Sequence, residues 1–199
     1  LARHFDNLKR WGVQPVIALN RFPGDTDDEL SQVLKYCRTL GVDAAICEGY
    51  TKGGDGMTEL AAKIVSVAGS TSEDRVKPIY VREQSLADKI TAVATQVYGA
   101  ARVSFKPAAK SRLEKFESLG YGGLPVCIAK TQYSFTDDPK QMGAPVNWTL
   151  TISDVTLSAG AGFVVAIAGA MMLMPGLGKV PQAQKLDVDD QGRAIGMEY

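Results

Sequence analysis

The apolar positions of the chain follow two rhythms, a helical period and short unbroken runs, and the two alternate. Leu1, Phe5, Leu8 and Trp11 sit at helical spacing with polar residues between them. The chain thus opens inside a structured element and reads as a piece of a longer protein. Residues 15–20 (PVIALN) form a short apolar run, as a buried strand does. Thr26 and Glu29 then fit a capping box. Leu30, Val33, Leu34, Cys37 and Leu40 follow on one helix face, closed by Gly41. Residues 43–48 (DAAICE) predict a second strand. Leu60, Ile64 and Val67 predict a helix ending at Gly69, and Leu86, Ile90, Val93 and Val97 another ending at Gly99. Pro107 opens a fourth in the tolerated first-turn position, with Gly120 after it.

Beyond about Gly120 the rhythm becomes strand-like. Residues 124–130 (LPVCIAK) predict a strand, residues 148–155 (WTLTISDV) a half-exposed one, and residues 185–195 a hairpin turning near Asp190, Gln191 and Gly192. The expected architecture is α/β: a parallel-sheet domain over residues 1–110, then a smaller strand- and loop-rich domain over residues 111–199. The boundary falls in the stretch 100–123.

Composition narrows the function classes. The 199 residues are 45% hydrophobic, enough for a sizeable core. Lysine and arginine number 22 and so do aspartate and glutamate, a balance that argues against a dedicated nucleic-acid binder. The one histidine, His4, argues against histidine metal sites and a Ser-His-Asp triad. Cys37, Cys47 and Cys127 form no CxxC pair and read as reduced thiols of a cytoplasmic protein. The uncharged stretch between Asp154 and Lys179 is too short in its apolar part, and too rich in glycine, to span a membrane. It predicts a buried strand followed by a glycine-rich loop.

Four segments carry candidate chemistry. Asn20, Arg21, Phe22, Pro23, Gly24 and Asp25 follow a strand, where α/β proteins bind ligands. Strand-then-Asn-basic echoes the guanine-reading NKxD element of GTPases, but Pro23 stands where the base-reading Asp belongs. A plain turn is the alternative. The segment from Gly49 to Gly56 nearly matches a phosphate loop, but Asp55 replaces the lysine, so a P-loop is rejected. Tyr50 there offers a second flat ring beside Phe22; a flexible connection is the alternative for its glycines. Lys130, Thr131, Gln132, Tyr133 and Ser134 make a polar cluster at a strand exit, able to meet a carboxylate or phosphate, though a plain exit loop accounts for it. The glycines of residues 157–163 (LSAGAGF) predict close backbone packing rather than a dinucleotide site. No paired acid/base constellation stands out.

The stretches PVIALNRFPGDTDDEL, KGGDG, VYGA, GYGGLPVCIAKTQYSFTDDP, DVTLSAGAGF and MPGLGKVPQA, in this order, resemble the C-terminal part of formate–tetrahydrofolate ligase. The resemblance implies an enzyme that joins formate to tetrahydrofolate with ATP through formyl phosphate, with a monovalent cation as a possible accessory and a homo-oligomeric, cytoplasmic whole. It implies that the P-loop domain and the formate-activating residues lie outside this chain, so no catalytic or metal-binding residue is expected in it and the chain alone should be inactive. It places the pterin between Phe22 and Tyr50, with Pro23 and Ile46 as apolar neighbours. Tyr50 stands where the family pattern carries Trp. More faintly, it places Gly143, Ala144 and Pro145 near the adenine, and it assigns no role to Lys130 and Thr131. Tetrahydrofolate, ATP and formate are the implied partners, with no nucleic acid and no membrane. A non-catalytic assembly module is the alternative reading.

Overall fold

A computed structural model describes residues 1–69, 76–169 and 179–196. The first elements are α1 (Ala2–Arg10), β1 (Ile17–Asn20), α2 (Asp27–Thr39), β2 (Ala44–Cys47), a single-turn helix α3 (Gly49–Lys52) and α4 (Thr58–Gly69). β1 and β2 pair in parallel, Ile17 opposite Ala44 and Asn20 opposite Cys47. The capping box forms as expected: Glu29 N–H donates to Thr26 Oγ1, and Thr26 N–H donates to the Glu29 carboxylate. Phe5, Cys37 and Val42 form a small core between α1 and α2, with Ile17 and Val33 against it. On the expected apolar face of α4, Leu60 and Val67 are half-buried and Ile64 is 48% exposed; none of the helix's residues is fully buried.

The later elements build a second sheet. They are α5 (Leu86–Ala92), extended by a widened π turn over Val93–Tyr98, then β3 (Arg102–Phe105), α6 (Pro107–Ser118), β4 (Val126–Ala129), β5 (Thr149–Ser158) and β6 (Phe163–Ala168). The strand order is β3-β5-β6-β4. β3 runs parallel to β5 and β4 parallel to β6, but β5 and β6 are antiparallel. The sheet is therefore mixed, because the turn at residues 159–162 reverses the chain. That turn corrects the packing reading of LSAGAGF: a side chain at Gly160 or Gly162 would meet nothing within 4 Å, and Gly162 serves its positive φ of +75°. α5 and α6 cover the sheet with a core that includes Leu86, Ile90, Leu113, Trp148, Leu150 and Val164. Within this core Lys89 is wholly buried, its ammonium donating to Gly122 O at 2.7 Å and Leu124 O at 3.1 Å. Burial lowers its pKa.

The division at residues 110/111 passes through α6, and α5 and β3 pack with the four-stranded sheet. The two packing groups part between α4 and α5. They touch where Asn7 Nδ2 donates to Val97 O at 3.0 Å and Lys77 N–H donates to Trp11 O at 2.9 Å. The expected hairpin is β7 (Asp187–Val188) with β8 (Ala194–Ile195), turned by Asp189 and Gly192. Residues 170–178, the expected glycine-rich loop, lie outside the described residues. No described helix is long and apolar enough to cross a membrane.

Candidate functional site

Two features stand at strand ends. The first is built by β1 and β2, whose parallel pairing carries both carboxyl ends to the same rim. Arg21 N–H continues the ladder by donating to Cys47 O at 3.0 Å. The loop then turns sharply: Phe22 N–H donates to Asp25 Oδ2 at 2.8 Å, and Asp25 N–H donates to Phe22 O at 3.0 Å. Arg21 is tied to Asp27 at 2.7 Å. A backbone pinned this way leaves the Phe22 ring in solvent, 65% exposed.

Tyr50 comes just after the adjacent strand. It sits on α3, which Glu48 precedes and whose Lys52 pairs with the Glu48 carboxylate at 2.6 Å. Tyr50 is 84% exposed. The glycines after it are not a slack connection. Glu48 N–H donates to Gly56 O at 3.0 Å, and a side chain at Gly56 would stand 2.6 Å from the Glu48 backbone. Gly56 is thus required by close approach. Ile46 lies half-buried on β2, and Pro23 is exposed beside Phe22. The four residues named for the pterin therefore belong to two adjacent strand ends.

The second feature is a cleft of about 700 Å³ where β4 ends, with α1 and α2 on its other side. Gly143, Ala144, Lys130, Thr131 and Ser134 line it, together with Tyr98, Tyr36 and His4. The His4 and Phe135 rings are 4.9 Å apart. Lys130 sits half-buried 4.8 Å over the Tyr98 ring. Desolvation lowers the Lys130 pKa against the opposing pull of Asp137, and burial raises that of the Tyr98 hydroxyl. Phe22, Pro23, Ile46, Tyr50 and Pro145 do not line this cleft. The sequence singled out Lys130 and its neighbours as a polar exit. It gave no sign that His4, Tyr36 and Tyr98 would line the same cleft, because that depends on how α1, α2 and the end of α5 dock. Among the described residues no three His, Cys, Asp or Glu side chains gather as a metal site.

A family model for formate–tetrahydrofolate ligase matches residues 1–198. A formate–tetrahydrofolate ligase of Paracoccus denitrificans (strain Pd 1222) is 44% identical over 197 residues, covering 99% of this chain and 35% of the relative. The chain thus spans about a third of that relative's length. With the family match running almost end to end through both strand-end features, the chain belongs to the formate–tetrahydrofolate ligase family.

Proposed function

We propose that this chain carries the tetrahydrofolate-binding side of a formate–tetrahydrofolate ligase. The observation that carries the reading is the pair of solvent-facing rings, Phe22 in the loop after β1 and Tyr50 on the short helix after β2, at the carboxyl ends of two adjacent parallel strands. A flat heterocycle between two rings gains about 0.5–1.5 kcal/mol per aromatic pair beyond area burial. Pro23 and Ile46 extend the apolar surface. Gly143, Ala144 and Pro145 supply part of a nucleotide subsite near the second cleft. In the whole enzyme a formate oxygen attacks the terminal phosphate of ATP, and ADP leaves. The tetrahydrofolate amine then attacks the formyl carbon, and phosphate departs. The phosphate-handling groups of those steps are assigned to the part of the protein outside this chain, so the chain alone has no ligase activity.

The test is a calorimetric titration of the chain with tetrahydrofolate beside a Phe22→Ala/Tyr50→Ala variant. Both rings are exposed, so the variant should retain its stability within about 0.5 kcal/mol. Loss of both stacking contacts, at about 0.5–1.5 kcal/mol each, should weaken binding roughly 5- to 150-fold. Equal affinity in the two proteins sinks the pterin assignment. A second reading, assembly through the exposed Ile64 and Val65 of α4, is favoured if sedimentation finds large assemblies that bind no folate.

A further inference from the structure

We propose that Lys130 is the positioning residue of the cleft at the end of β4: its ammonium ties down residues 131–134, and that tie sets the wall formed by Gly143 and Ala144. The last step, that this wall receives a nucleotide, rests on the reading under Proposed function.

The geometry is a closed relay. Lys130 follows the last ladder residue of β4, and its side chain folds back over its own loop. Nζ donates to Thr131 O at 2.9 Å and to Ser134 O, and the Tyr98 face takes the remaining side of the cation. Among the described residues Lys130 forms no ion pair, so its donors serve the backbone rather than a carboxylate. Ser134 passes the constraint on. Its hydroxyl donates to Gln141 O and accepts from Thr136 N–H at 3.0 Å. Phe135 N–H donates to Gly143 O at 3.3 Å, and Ser134 bridges to Gly143. Thr136 Oγ1 in turn donates to Asp138 O at 3.0 Å and accepts from Asp138 N–H at 3.1 Å.

Ser134 and Thr136 are buried. A buried polar network holds its shape only while each member has a partner. Removing the ammonium withdraws a donor from two carbonyls at the point where the loop enters that network. The Gly143–Ala144 backbone then loses its fixed place beside Ser134 and Phe135, in the cleft that Lys130 and Thr131 also line.

The experiment compares hydrogen–deuterium exchange of residues 131–145 in the 199-residue chain, in Lys130→Met and in Lys130→Arg. Methionine keeps length and removes the donors. Arginine keeps donors and stacks on aromatic rings. Exchange at the Phe135 amide should rise about tenfold in the methionine variant, the effect of losing roughly one hydrogen bond. Arginine should restore most of that protection, while β5 and β6 exchange alike in all three proteins. Unchanged exchange in the methionine variant, or a rise spread evenly over the four-stranded sheet, overturns the proposal. Titration with ADP separates the two readings. With ADP bound by the wild-type chain, the methionine variant should bind it at least about fivefold more weakly, with tetrahydrofolate affinity unchanged. Equal ADP affinity despite a loosened loop overturns the coupling of Lys130 to the cleft wall. No ADP binding by the wild-type chain counts against the nucleotide reading alone, and the exchange data still decide the role of Lys130.

Discussion

Leu150→Ala probes the four-stranded core at its centre. Leu150 has no solvent exposure, lies opposite Val103 across the parallel β3–β5 ladder, and belongs to the same core as Trp148. The substitution removes three carbon groups, and at about 0.8 kcal/mol each the lost transfer energy is about 2.4 kcal/mol. Neighbouring side chains close the gap only in part, which brings the expected loss to about 3–4 kcal/mol. That is a large share of the roughly 5–15 kcal/mol that holds an ordinary domain folded. Urea unfolding followed by tryptophan fluorescence measures it. A Trp11→Phe background leaves Trp148 as reporter, since these are the two tryptophans of the chain. With a slope of about 1–3 kcal/mol per molar, the midpoint should fall by roughly 1–4 M. Leu119→Ala is the control, because Leu119 is 59% exposed and its loss should stay within about 0.5 kcal/mol. A loss below about 1 kcal/mol at Leu150, or equal losses at the two leucines, would refute the assignment of this core.

Thr26→Ala should destabilise α2 by about 1 kcal/mol at neutral pH, read from the thermal midpoint. Glu29 carries a pH signature of the same box. Its pKa is lowered, first by the Thr26 hydroxyl and then by the Thr26 backbone amide. A carboxylate with a depressed folded pKa stabilises the fold above its unfolded value and loses that contribution as pH falls through the folded one. The gap between wild type and Thr26→Ala should therefore narrow below about pH 4.3; a gap that widens in acid counts against the box. Gly162→Ala should cost about 1 kcal/mol for its positive φ alone. Gly99→Ala should cost about the same, because φ there is +78° and the atom its added carbon would meet is a terminal nitrogen of Arg3, at the far end of a flexible side chain that can shift cheaply. Chemical denaturation compares the two, and a loss at Gly99 more than about 1 kcal/mol above that at Gly162 contradicts a yielding Arg3 side chain.

Local chemistry was well written in the sequence. Thr26 and Glu29 announced the start of α2 because a capping box acts over three residues, and Gly41 and Gly120 announced helix ends through their positive φ. The strand ends that carry Phe22 and Tyr50 were legible for the same reason. What depends on distant partners was not. Leu60, Ile64 and Val67 marked an apolar face of α4, but periodicity says that a face exists, not what covers it, and nothing in α4 is buried. The mixed sheet turned on whether residues 159–162 form a tight turn, which glycine content alone leaves open. Lys89 gave no hint that it would be buried, because its partners Gly122 and Leu124 are carbonyls 33 and 35 residues away.

The antiparallel step between β5 and β6 also gives the four-stranded sheet two unlike rims. β4 and β6 finish on the rim where Lys130 begins, and β5 starts there. The tip at residues 159–162 stands on the opposite rim, exposed along most of its length. That separation makes the tip a handle: a fluorophore, an affinity tag or a short inserted peptide could be carried there while the rim that carries Lys130 stays as it is.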